Sequence, residues 1–133
     1  MAPSPDAFSY AAIRVVPDIE RGEFLNAGLI LFCRPARYLV ARTALDRAAL
    51  AALQPGCDVE GMHGQLRLIE RIAAGEADAG PISLLDQSER FGWLTAPRST
   101  IVQPGPIHTG TTEDPATTFD HLFAVLVERG GRA

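Results

Sequence analysis

Residues Phe8–Cys33 read FSYAAIRVVPDIERGEFLNAGLILFC, and the fold turns on this stretch. Two apolar runs, Phe8–Val16 and Phe24–Cys33, flank the charged segment Pro17–Glu23. Runs rich in β-branched and aromatic residues, bounded by Pro, Asp and Gly, predict two strands, and so short a connection makes them antiparallel. Ile13 and Val15 are apolar at odd positions of the first run; Leu25, Ala27, Leu29 and Leu31 are apolar at odd positions of the second. Placing both sets on a core face requires paired residue numbers with an even sum, because a one-residue slip exchanges the faces. A loop centred near Glu20 then sets Arg14 opposite Asn26, Ala12 opposite Gly28 and Tyr10 opposite Ile30. The second face of the pair carries an Arg and an Asn beside a shallow gap left by Ala12 and Gly28.

Working outward, Arg34–Arg37 contains Pro35 and turns the chain into a third strand, Tyr38–Thr43. Asp46 can cap a short Ala/Leu-rich helix ending before Pro55, and Asp58 a longer one running to about Gly75. In the longer helix Val59, Met62, Leu66, Ile69 and Ala73 recur at helical spacing. Glu76–Pro81 connects to a short helix within Leu84–Leu94, and Thr100–Gln103 returns as a strand ended by Pro104. Asp114-Pro115 opens a last helix whose Phe119, Leu122, Phe123, Leu126 and Val127 share one face, with Gly130-Gly131 as its stop. Strands first and helices after predict an α+β fold, a small antiparallel β-meander of about three to four strands packed on one face by helices. Residues 1–7 are expected to fray, and 8–133 to form a single domain.

At 133 residues the chain is long enough for a real core, and 47% apolar with 21% charged residues is a globular composition. The uninterrupted apolar runs, Leu29–Cys33 among them, are too short to span a membrane, and no secretory pattern opens the chain. A cytoplasmic location is the expectation. All 12 basic residues are Arg, which removes Schiff-base lysines and the Lys-dependent P-loop from consideration. A net charge of −4 argues against non-specific nucleic-acid binding. Cys33 and Cys57 lack CxxC spacing and cannot close a thiolate zinc site; no metal or cofactor is expected.

The unusual polar residues crowd into two tracts, Arg14–Gly28 and Glu89–Asp114. Arg14 and Asn26 lie mid-strand, where a planar fork of donors and a carboxamide either lock the sheet or face a ligand. Arg21 sits among Asp18, Glu20 and Glu23, a cluster that matches no calcium-loop pattern and reads as well as a solvated ion pair. Arg98, His108 and the Thr-rich segment after it resemble an anion-binding arrangement, opposed by Asp114 at the following helix terminus. Trp93, with Arg90 and Phe91 nearby, can anchor a partner or close the core. Ser99, His108 and Asp114 could be named as a triad, but no nucleophile-elbow context supports one.

Taken together the tracts resemble the bacterial domain of unknown function 3037 family. The matching residues are Tyr10, Arg14, Val16-Pro17, Glu20-Arg21, Glu23, Asn26 and Gly28, then Arg90-Phe91, Trp93-Leu94, Ala96-Pro97-Arg98-Ser99, Gln103-Pro104 and His108-Thr109-Gly110. The resemblance carries no established activity. It implies a small partner or regulator of a kinase related to the HipA toxin kinases, beside which such proteins are often encoded. The expectation is therefore a non-catalytic protein-binding or regulatory partner. Its surface would join Arg14, Arg21, Glu23, Asn26 and Gly28 to Arg90, Trp93, Arg98 and His108. One alternative is a metal-assisted enzyme acting on a phosphorylated small molecule or nucleic acid, with Glu20 and Glu23 on the metal and His108 as acid or base. Another is that both tracts serve only the fold.

Overall fold

The two opening strands form where the apolar runs require them. In the computed structural model, which describes residues 5–128, β1 spans Asp6–Val15 and β2 Leu25–Cys33, and they pair antiparallel. Arg14 faces Asn26 and Val15 faces Leu25, as the loop position dictates. Between Arg14 and Ile13 the register shifts, so that Ile13 faces Gly28, Ala12 faces Leu29 and Tyr10 faces Leu31. The expected pairings Ala12–Gly28 and Tyr10–Ile30 are therefore corrected. Ala27 is the extra residue of a β-bulge, and beyond it the side chains of β2 change face.

The bulge reconciles two demands of β2. Leu25 and Ala27 join Val15 in one core cluster, and past the bulge Ile30 joins Ala11 and Ile13 there, while Leu29, Leu31 and Cys33 join Phe8 in a second. A strand whose consecutive residues Leu29–Leu31 are all apolar must be covered on both faces. The helices divide accordingly. Leu50 of α1 (Arg47–Leu53), Met62 and Leu66 of α2 (Val59–Ala74) and Phe91 of α3 (Gln87–Leu94) build the first cluster. Phe119 and Phe123 of α4 (Pro115–Leu126) build the second, on the opposite face. The α+β class and the antiparallel sheet are as expected; the helical cover extends to the second face because β2 is apolar on both.

The sheet has five strands. β3 (Tyr38–Thr43) pairs with the outer edge of β2. The far edge of β1 is shared end to end by β4 (Val102–Pro104), opposite Ile13–Val15, and β5 (His108–Thr112), opposite Asp6–Tyr10. The sequence HTGTT of β5 has no apolar alternation, so this strand was not among those expected. Gly110 allows its close approach: a Cβ there would lie 2.8 Å from the ring of Phe8. Asp6 and Ala7, expected to fray, pair with Thr112 and Thr111. The rest of that expectation at residues 1–4, and the Gly130-Gly131 stop, lie outside the described residues.

The helix starts follow the sequence. Asp46, Asp58 and Asp86 accept from the backbone N–H groups of Ala49, Gly61 and Glu89, each at 2.9 Å. Asp114 differs: its carboxylate accepts from the Thr117 hydroxyl at 2.6 Å, which holds it below the usual carboxylate range. Asp58→Ala should cost about 1 kcal/mol by removing the acceptor of the Gly61 N–H at the start of α2. Equilibrium urea unfolding should show a lower midpoint with an unchanged slope.

Candidate functional site

Alternation along β1 places Tyr10, Ala12 and Arg14 on the α4 face of the sheet, beside Asn26 of β2 and His108 of β5. Helix α4 covers Phe8, Leu29 and Leu31 but ends at Leu126. Past its end lies a pocket of about 220 Å³, lined by those five residues with Phe24, Pro106 and Leu126. Arg14 stacks on Phe24 with its guanidinium carbon 4.0 Å from the ring centroid. Its Nε is buried without a hydrogen-bond partner, and no carboxylate of the described residues lies within ion-pair distance of it. Asn26 donates from Nδ2 to the Leu126 carbonyl at 3.2 Å, and its Oδ1 is buried and unpaired. The exposed His108 ring lies 5.3 Å from that of Tyr10. The lining therefore offers a cation and a free acceptor, and it holds no Ser, Thr, Cys or carboxylate to serve as a nucleophile.

A second concavity lies on the opposite face. A groove of about 240 Å³ runs between α2 and the chain after α3, with Leu68, Ile69, Ile72, Trp93 and Arg98 in its wall. Trp93 is 40% exposed and Leu68 is 41% exposed. Arg98 is 4.8 Å from the indole and donates to the carbonyls of Trp93 at 2.6 Å and Ala96 at 3.3 Å. Backbone anchoring of this kind holds a guanidinium over the ring and lowers the entropy lost when it binds.

The nine residues singled out in the sequence thus do not form one continuous surface. Arg14, Asn26 and His108 share the pocket, and Trp93 and Arg98 share the groove. Arg90 works inside the fold, donating to the Leu85 carbonyl at 2.6 Å and the Ala73 carbonyl at 3.3 Å, where it pins the end of α2. Arg21 and Glu23 pair at 2.7 Å in the exposed loop between β1 and β2. Their hydrogen bond lowers the Glu23 pKa and raises that of Arg21. Gly28 faces Ile13 and Thr43 inside the sheet. Neither Glu20 nor Glu23 lines the His108 pocket, and no group of three or more metal-ligating side chains is assembled among the described residues. Asp114 accepts from the Thr117 hydroxyl at 2.6 Å, and no hydrogen bond links it to His108 or Ser99 among the described residues.

Tyr10 is a lining residue that the sequence reading missed, although the period-two face it shares with Arg14 carried the signal. Leu126 and Leu68 carried none: one reaches the pocket only through the docking of α4, and the other reads as an ordinary helical Leu.

A family model described as "Protein of unknown function (DUF3037)" matches residues 10–127 of the 133. No curated protein and no solved structure matches the chain. Among the described residues, no helix is long and apolar enough to cross a membrane.

Proposed function

We propose, for a chain that belongs to the DUF3037 family, a non-catalytic role as a protein-binding or regulatory partner that docks through the Trp93–Arg98 groove. The observation that carries this reading is the pairing of a 40%-exposed indole with a backbone-held guanidinium in a concave wall beside the exposed Leu68. Trp and Arg are the residues most enriched at binding hot spots, where an aromatic anchor and an oriented charge are desolvated together. The matching partner surface presents an apolar side chain to the indole and a carboxylate to Arg98. The family resemblance implies a HipA-like kinase as that partner, and we place the complex in the cytoplasm as part of the same proposal.

The test is affinity purification of the tagged protein from its own host, with Trp93→Ala and Arg98→Ala beside the wild type. Wild type should retain one stoichiometric protein. Trp93→Ala, a change at a half-exposed position, should stay folded and weaken that complex by at least about 30-fold, the loss of a hot spot. Recovery of the protein alone, or undiminished capture by the folded variant, would overturn the reading.

A further inference from the structure

We propose that the pocket between β1, β2 and the end of α4 is a separate ligand site for a small monocarboxylate that carries a hydrogen-bond donor next to its anionic group. An N-acylated amino acid is the simplest such shape. The proposal does not depend on the groove.

Three observations converge on it. Among the described residues, Arg14 is the only Arg, Asp or Glu in the lining, and none of their carboxylates lies within ion-pair distance of it. Such a fork, held over Phe24 with its carbon 4.0 Å from the ring centroid, matches a planar carboxylate. Next, Asn26 is held by its bond to the Leu126 carbonyl, so its buried, unpaired Oδ1 must be the acceptor left over. A buried acceptor without a partner calls for a donor, and a bare anion has none. Finally, about 220 Å³ falls below the roughly 300–1,000 Å³ of pockets for drug-sized ligands, which limits the occupant to a small molecule.

The electrostatics favour a carboxylate over phosphate. One guanidinium matches one negative charge. Asn26 is also tied to a terminal carbonyl of α4, the end of the helix that carries partial negative charge and opposes a dianion.

NMR titration of the full, isotopically labelled chain tests this by following the Asn26 side-chain amide, Arg14 Nε–H and the His108 ring. N-acetylglycine should give saturable shifts at all three. It should bind about tenfold more tightly than acetate, which leaves Asn26 Oδ1 unpaired. Inorganic phosphate should bind more weakly than N-acetylglycine. Arg14→Gln should abolish the shifts, and Arg14→Lys, which keeps the charge but not the fork, should bind at least about tenfold more weakly. Ala12→Leu, which fills the pocket and leaves Arg14 in place, should give the same loss even if Arg14→Gln does not fold. Trp93→Ala should leave the titration unchanged, which separates this site from the docking groove. The proposal is overturned if N-acetylglycine produces no saturable shift in the wild type. It is equally overturned if folded Arg14→Gln or Ala12→Leu binds as before, or if phosphate binds as tightly as N-acetylglycine.

Discussion

Replacing Phe119 with Ala is expected to destabilise the protein by about 3–5 kcal/mol, the cost of removing a large aromatic side chain from a closed core. Phe119 has no solvent exposure. It packs against Phe123 with ring centroids 6.2 Å apart and meets Tyr38 edge-on at 6.4 Å. Arg42 lies over it, 4.7 Å from the centroid. Among the described helices, α4 alone covers Leu29, Leu31 and Cys33, so the cavity opens where nothing else can close it. The loss should appear in equilibrium urea unfolding, and as a fall in Tm of roughly 10–20 °C for a domain of this size. Because Asn26 is tied to the Leu126 carbonyl, the pocket should loosen with the helix. A loss below about 1 kcal/mol, the range of a surface substitution, would mean that α4 does not close this face.

Gly28→Ala should cost about 1–3 kcal/mol, by overpacking rather than by cavity. A Cβ at Gly28 would lie 2.9 Å from the Arg42 carbonyl oxygen, 3.0 Å from Thr43 Cγ2 and 3.1 Å from Ile13 Cδ1. The first of these is backbone in the neighbouring strand, and it cannot swing aside. Thr43 is itself pinned, because its N–H and hydroxyl both donate to Glu70, at 2.9 and 3.0 Å. Relief therefore requires the β2–β3 pair to spread at its end. Thermal melts and partner capture, run together on the same variant, separate this from a binding role. Unchanged stability with lost capture would return Gly28 to a recognition surface.

Gly28 also shows how a sound local argument misassigns a residue. Period two and loop length correctly set Arg14 against Asn26. Even-sum pairing, carried past that point, made Gly28 a gap on the ligand face. The bulge at Ala27 places it on the other side, against Ile13. Bulges leave little mark in a sequence already apolar at Leu29, Ile30 and Leu31, since either face then accepts the strand. Arg90 and Arg98 illustrate a second limit. They stand close together in one polar tract, yet Arg90 closes the end of α2 while Arg98 stacks on Trp93 at the surface. Which carbonyls an arginine meets depends on how helices dock, and neither spacing nor charge records it.

What the amino-acid order determines by itself is local. Hydrophobic period, turn residues and Asp caps specify β1 to β3, α1, α2 and the apolar face of α4, because each depends on neighbours within a few positions. The pairing of Arg14 with Asn26 belongs here as well, being set by one short loop. Tertiary structure alone decided the rest. It recruited the threonine-rich segment His108–Thr112 to the open edge of β1, whose unpaired backbone groups had to be satisfied. It carried α4 to the second face, where β2 had apolar surface to bury. Through those two long-range events the pocket around Arg14 acquired His108 on one side and Leu126 on the other. Contacts between distant segments depend on the summed burial of whole faces, a quantity that no short window of sequence contains.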